Sequence, residues 1–337
     1  MSAAPPLHIL LATYNGACFL PALLDSVLAQ SDPDWVLLVR DDGSSDDTMA
    51  VLHRYAARDV RMRLVADGAA TVGIRRNFER LLDCARRAGA ASFALCDQDD
   101  LWCTHKLARM RAALDGAQAR HGPSTPLLAY ADLALIDDAG RPIAESHFGR
   151  AGASQVRHGV DTWLIAHNLI PGCAMVGNRA LLELALPFPS QVFHHDWWLV
   201  LVASAAGQVI AVDAALTGYR QHSGNAIGAA SPTSRALDFI FHFRRSLDEA
   251  RAQYAGAVDQ AAALVERVGA GGHHNWIAAA GAARDRLGAP LRRVRIGAIL
   301  AGPVRRIGWA RNALMLFASL FALCSRRRER SGAPSVR

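Results

Sequence analysis

Apolar runs and helical spacings alternate through the first hundred residues. His8–Thr13 is an almost unbroken apolar run, the pattern of a strand covered on both faces. Phe19–Gln30 then reads as a helix, Trp35–Arg40 as a second buried strand, and about Asp46 to Ala57 as a second helix. The alternation continues with a strand at Arg61–Val65 and a helix over Thr71–Arg87 carrying Phe78, Leu81 and Leu82. A strand at Ala91–Cys96 and a helix across Thr104–Ala113 follow. Such alternation predicts a parallel sheet flanked by helices, in which ligands bind beyond the carboxyl ends of the strands. Three polar clusters fall at those ends: Thr13-Tyr14-Asn15-Gly16, Asp41-Asp42-Gly43-Ser44-Ser45-Asp46 and Asp97-Gln98-Asp99-Asp100.

From Pro126 onward the pattern is more mixed. Leu127–Leu135 reads as a strand leading to a turn at Asp137–Gly140, Val156–Ala166 as a helix and Cys173–Val176 as a strand. His195–Ala206 reads as a helix and Val209–Val212 as a strand; Ser223–Ser234 has the composition of a mobile loop, and residues 235–290 read as helices. The expected organisation is one domain over 1–230, with halves of about 1–125 and 126–230, followed by a helical extension over 231–337.

Composition changes this picture in two places. The chain of 337 residues is 51% hydrophobic and 20% charged, which suits a globular protein with a substantial core. Its net charge of +7 is unevenly spread: residues 292–337 hold eleven arginines and one acid, and the rest is slightly acidic. Those arginines flank the apolar stretch Asn312–Cys324, which is too short to span a bilayer but suits a helix lying in an anionic membrane surface. The alternative is a helix packed on the rest of the protein. A nucleic-acid groove would spread its bases over a folded face among aromatics, so no nucleic-acid partner is expected. The six cysteines form no C-x-x-C pair, and the N-terminus has no basic stretch before its first strand pattern. Reduced thiols, no secretory signal and a cytoplasmic location are expected.

The chemistry concentrates in the carboxylates. Asp97, Asp99 and Asp100 end an apolar run together, a like-charge cluster that calls for a cation; oxygen ligands suit Mn2+ or Mg2+, commonly held with a diphosphate. At the second strand end, Ser45, Asp46 and Thr48 are explained by helix capping, but Asp42 is not, and a carboxylate there can accept the imide N–H of a pyrimidine base. Thr13, Tyr14 and Asn15 form a turn beside that base site, and Arg75 and Arg76 either reach the nucleotide or are solvated helix residues. Asp196 opens a helix beside Trp197 and Trp198, fitting either a general base or an N-cap. In Tyr219-Arg220-Gln221-His222-Ser223-Gly224-Asn225, Arg220 or His222 is a candidate to touch a diphosphate or the metal.

In this order the motifs TYNG, DDGSSD, CDQDDLW, HHDWW and YRQHSGN resemble the family-2 glycosyltransferases of GT-A fold, in particular the bacterial rhamnosyltransferase-like branch that builds surface and cell-wall polysaccharides. The resemblance covers about residues 7–228. It implies a mixed, mainly parallel sheet with a nucleotide-binding first half and an acceptor-binding second half. Matched by position, it implies that Asp42 contacts the base with Thr13 beside it, that Asp97 and Asp99 form the D-x-D pair with Asp99 on the metal, and that Asp196 is the catalytic base. The implied reaction inverts the anomeric centre of a dTDP- or UDP-sugar, such as dTDP-rhamnose, on a hydroxyl of a glycan or lipid-linked acceptor. An acceptor of that kind suits a peripheral position on the inner face of the cytoplasmic membrane. His195 departs from the acid that many relatives carry before the base. Two other readings are a sugar-phosphate nucleotidyltransferase, whose glycine-rich, lysine-containing entry loop is not evident, and a nucleotide-binding membrane-surface module without turnover.

Overall fold

The computed structural model describes residues 5–68, 71–222 and 243–287. The chain forms two compact units: residues 1–159, 169–189 and 194–229 make the first, and residues 160–168, 190–193 and 230–337 the second. Two short segments from the middle of the chain thus belong to the second unit.

The first unit is built on β1 (Leu7–Thr13), whose Leu7, Ile9, Leu10 and Leu11 are all buried. A strand apolar on both faces belongs in the centre of a covered sheet. β1 pairs in parallel with β2 (Trp35–Asp41) on one side and β4 (Ser92–Asp97) on the other, and β3 (Met62–Leu64) extends the sheet beyond β2. The register sets Thr13 opposite Asp41, and Ala12 opposite Asp97. The chain moves outward from β1 through β2 to β3 and then crosses back to β4 on the other side of β1, so the crevice for a ligand is expected at the carboxyl ends of β1 and β4. Between the strands run α1 (Leu20–Leu28), α2 (Thr48–Ala56) and α3 (Ile74–Arg87). In α1 the buried Leu20, Leu23, Leu24 and Val27 repeat at helical spacing.

Past the carboxylate loop the sheet becomes mixed, as the resemblance implied. β5 (Leu101–Trp102) is followed by α4 (Lys106–His121), then β6 (Leu127–Ile136), β7 (Pro142–Ala144) and α5 (His147–Arg150). β8 (Met175–Asn178), α6 (Arg179–Ala185), α7 (His195–Ala206) and β9 (Gln208–Arg220) complete the unit. The strand order is β3-β2-β1-β4-β8-β6-β9-β5, with β7 on β6; β8 runs antiparallel to both β4 and β6.

Several boundaries differ from expectation. α4 continues to His121 and stops at Gly122, whose φ is +87°. β9 runs eight residues beyond Val212 because β6 and β5 offer it partners on both edges, with a register shift near Asp132. The helix expected over Val156–Ala166 is replaced by short 3-10 turns at Ser154–His158 and Thr162–Ala166, separated at Gly159 (φ +147°).

In the second unit, α8 (Phe243–Val268) buries Tyr254, Ala257, Ala261 and Leu264, and α9 (His274–Ala282) buries Trp276. Gln260 accepts a hydrogen bond from the Phe193 amide at 2.9 Å. Helices were expected here. The Ser223–Ser234 loop and the basic Asn312–Cys324 segment lie outside the described residues. Among the described residues no helix is long and apolar enough to cross a membrane.

Candidate active site

The first loops are locked to one another by their own polar side chains. Asp41 accepts from the Thr13 hydroxyl (2.8 Å), the Gly43 and Ser44 amides (3.0 and 2.7 Å) and the Ser44 hydroxyl (2.6 Å). Asn15, held at φ +48°, accepts from the Ser45 amide at 2.8 Å. Asp42 is 4% exposed and accepts from Arg40 Nη1 (3.0 Å), the Val72 amide (2.8 Å) and the Gly73 amide (2.8 Å). Three of the roughly four acceptor positions of a carboxylate are thus taken, leaving one on Oδ2. Arg40 is buried too, and its remaining donors reach Asp67 and Asn77.

The fourth strand delivers the acidic cluster. Gln98 is turned away from it: its Oε1 accepts from the Tyr14 amide and its Nε2 donates to the Tyr14 carbonyl, both at 2.9 Å. This clamp ties the D-x-D loop to the first loop. It requires Gly16, because a Cβ there would stand 2.3 Å from Gln98 Oε1. Asp99 lies 2.8 Å from His222 Nε2, and the His222 ring packs on Phe19. Asp100 is wholly buried; its Oδ1 accepts from the Arg220 amide at 3.2 Å, and its Oδ2 has no hydrogen-bond partner.

Asp97 retains an edge in contact with solvent, but its carboxyl group sits deep among protein atoms. Burial, then the charges of Asp99 and Asp196, push it up to about 7. Asp100 is pushed up in the same way by burial, then by Asp97 and Asp99. Asp196, in the first turn of α7, accepts from the Trp197 amide at 2.7 Å. Its neighbour His195 stacks on Phe78 at 4.1 Å, and burial lowers it to about 4, so it is neutral at pH 7. Gly172 lets the 172–174 turn approach both: an added Cβ would be 3.2 Å from His195 Nε2 and 3.6 Å from Asp196 Cβ.

Several expectations change on this geometry. Arg220 was a candidate for a diphosphate, but its Nε donates to the Asp99 carbonyl (2.7 Å) and its Nη1 to the Asp137 and Asp138 carbonyls (3.0 and 2.7 Å). Its guanidinium braces the acidic loop against the 137–140 turn. Asn15 likewise serves the loop, whereas the Tyr14 ring is 53% exposed. Arg76 is exposed on the first turn of α3, and no described contact ties it to the carboxylates. Sequence reasoning passed over Gln98, Lys106 and Cys173. Lys106 is 1% exposed, and Cys173 Sγ lies within 4.8 Å of ligand atoms of Asp97 and Asp100. Only the unusual position of a lysine among the apolar residues that open α4 hinted at a buried role.

The donor set fits a hard divalent cation. It combines converging carboxylates, one of them with an unsatisfied buried oxygen, and an imidazole beside Asp99. The Cys173 sulfur lies within 4.8 Å of ligand atoms of Asp97 and Asp100, and burial holds its thiol well above its ordinary range.

Residues 8–120 match the family described as Glycosyl transferase family 2. The chain is 24% identical over 230 residues to the dTDP-rhamnosyl transferase RfbG of Shigella flexneri, covering 65% of this chain and 74% of that one. Other curated relatives, from mycobacteria, are spanned over 59% of their length or less. Among solved structures, Staphylococcus aureus TarS 1–349 in complex with UDP-GlcNAc superposes with a TM-score of 0.53 at 15% identity, covering 96% of this chain and 92% of that one. The mannosyltransferase PcManGT of Pyrobaculum calidifontis, in complex with GDP-Man and Mn2+, gives 0.51 at 17% identity, covering 96% and 88%. At these identities the two structures establish the fold.

Proposed function

We propose that this chain, whose residues 8–120 match Glycosyl transferase family 2, is an inverting, metal-dependent glycosyltransferase that moves a sugar from a dTDP- or UDP-sugar to a hydroxyl of a glycan or lipid-linked acceptor. Rhamnose is the first candidate for the sugar, in keeping with the relative that carries dTDP-rhamnosyl transferase as its name. The observation that supports the reading best is at Asp97, whose carboxyl burial and then the charges of Asp99 and Asp196 push up to about 7, as expected if the D-x-D pair and the proposed base work together.

Each residue has a task in this reading. Asp42 offers its remaining Oδ2 acceptor position to the imide N–H of uracil or thymine, while Thr13 lies beside the base through its bond to Asp41. Asp99, Asp97 and His222 would hold Mn2+ or Mg2+, which when bound stabilises the charge of the departing nucleoside diphosphate. Asp196 takes the proton from the acceptor hydroxyl as that oxygen attacks the anomeric carbon. The 172–174 turn runs close beside His195 and Asp196, since a Cβ added at Gly172 would lie 3.2 Å from His195 Nε2 and 3.6 Å from Asp196 Cβ. Arg220 and Gln98 hold the acidic loop so that these oxygens stay convergent.

The test is a thermal-shift panel of nucleotide sugars with Mn2+, followed by product analysis with the donor that binds best. A donor-specific rise in melting temperature and a glycosylated product are expected. Release of pyrophosphate from a sugar phosphate and a nucleoside triphosphate, without transfer to any acceptor, would replace this reading with the nucleotidyltransferase.

A further inference from the structure

Every residue of β2 before Arg40 is apolar, yet Arg40 itself is only 1% exposed. Burying a guanidinium is unfavourable unless hydrogen bonds and opposite charge answer it. Both do so here. Its Nε and Nη2 grip Asp67 as a fork, at 2.9 and 3.3 Å, and Arg80 holds Asp67 in turn at 2.6 Å. Nη1 donates to Asn77 Oδ1 at 3.3 Å, while Asn77 Nδ2 donates back to the Arg40 carbonyl at 3.2 Å. The same Nη1 donates to Asp42 Oδ1 at 3.0 Å. Arg40 therefore ties Asp42 to α3 through Asn77 and to the stretch after β3 through Asp67. Asp42 is met as well by the Val72 and Gly73 amides that lead into α3. With two bonds on Oδ1 and one on Oδ2, its carboxylate cannot turn without breaking one of them. The loop itself is closed by Asp41, so the grip on Asp42 is additional to it.

We propose that Arg40 is a positioning residue for the choice of base: it holds the plane of the Asp42 carboxylate, so that one Oδ2 position is presented to a ring N–H. The proposal rests on the reading of Asp42 as the contact to a uracil or thymine ring. Uracil and thymine offer an imide N–H to such an oxygen. Cytosine has a bare ring nitrogen in that place and an amino group beside it. A carboxylate free to shift can turn to accept from that amino group. A clamped one cannot follow, and its charge faces the lone pair of the ring nitrogen. The charges balance too: Arg40 and Arg80 offset Asp42 and Asp67, so the clamp sets no net negative charge beside an anionic donor.

Titration calorimetry of the full-length protein with UDP and with CDP, each with Mn2+, tests this. The wild type should favour UDP by about tenfold or more. Arg40→Met should bind UDP roughly tenfold more weakly, with the preference over CDP falling towards one. Arg40→Lys keeps the charge but not the fork and should recover only part of the preference. Mn2+ affinity of the nucleotide-free variants, read by electron paramagnetic resonance, should stay within about twofold of the wild type, since none of the Arg40 side-chain bonds is to the D-x-D loop. Should Arg40→Met not fold, Asp67→Asn loosens Arg40 from the opposite end of its guanidinium and should lower the preference by about threefold. A UDP-to-CDP ratio unchanged in these variants but lost in Asp42→Asn would overturn the proposal and leave the reading of Asp42 standing. Loss of Mn2+ affinity together with the ratio would make Arg40 a general support and overturn it too. A ratio unchanged in Asp42→Asn would instead remove Asp42 from the base, and this proposal with it.

Discussion

At the scale of single residues, the aspartates divide into those that shape the loops and those left for chemistry. Asp41 is consumed by four hydrogen bonds within the first two loops, whereas the Asp99 carboxylate meets the His222 ring at 2.8 Å. Asp99→Ala is therefore expected to lose Mn2+-dependent donor affinity by tenfold or more, read by titration of the donor with and without Mn2+. Asp196→Asn keeps the size of the side chain and the acceptor for the Trp197 amide but not the base. Donor affinity should stay near that of the wild type while turnover falls about a thousandfold, in line with loss of a general base. His195 gives a prediction in pH. Its folded pKa of about 4 lies below the ordinary value of 6.5, so the unfolded chain takes up its proton first on acidification. The stability it preserves is complete above about 6.5 and is lost as pH falls towards 4, by about 3 kcal/mol. Asp97, raised to about 7, titrates in the opposite sense, so the comparison must be between the wild type and His195→Gln. Urea melts at pH 7 and 4.5 should show the difference between the two proteins shifting in favour of the variant at low pH.

At the scale of elements, the site depends on loops clamped across strands that are distant in sequence. Gln98 joins β4 to β1 through the main chain of Tyr14, and Arg220 joins the end of β9 to the same acidic loop. Gly16→Ala should push Gln98 out of its clamp and cost about 1–2 kcal/mol, as lost hydrogen bonds commonly do. Gln98→Ala should cost a similar amount, and the double variant little more than either, because both remove one contact; chemical denaturation of the three proteins reads this cycle. The first four strands and three helices were legible because their apolar runs are continuous and their turns carry Gly, Asn and Asp. β9 was cut short in the sequence reading because Asp213 and Gly218 interrupt its pattern, while its real length is set by pairing with β6 and β5. α6 was missed because seven residues are too few for a helical period to declare itself; its Asn178 cap, which accepts from the Leu181 amide, shows only in three dimensions.

At the scale of the whole molecule, residues 160–168 and 190–193 cluster with the C-terminal unit although the first unit surrounds them in sequence. A protein ending after residue 230 would leave these segments without their helices, including the Gln260 partner of the Phe193 amide. It is expected to melt several degrees lower than the full chain, or not to fold cooperatively, by calorimetry. The basic tail calls for a separate measurement. Deleting residues 292–337 should abolish sedimentation with vesicles containing anionic lipid, and unchanged co-sedimentation would assign membrane binding elsewhere. The amino-acid sequence alone determined the alternation of strands and helices, the carboxylates at the strand ends and the order of motifs, since each is written in residues near one another in the chain. Tertiary structure decided which carboxylates carry hydrogen bonds of their own, that Arg220 braces a loop, and that Lys106 is buried at the start of α4, donating to the Cys173 carbonyl and the Thr217 hydroxyl. Those outcomes depend on burial and on contacts between residues as far apart as Tyr14 and Gln98 or Asp99 and His222, and a linear pattern carries neither.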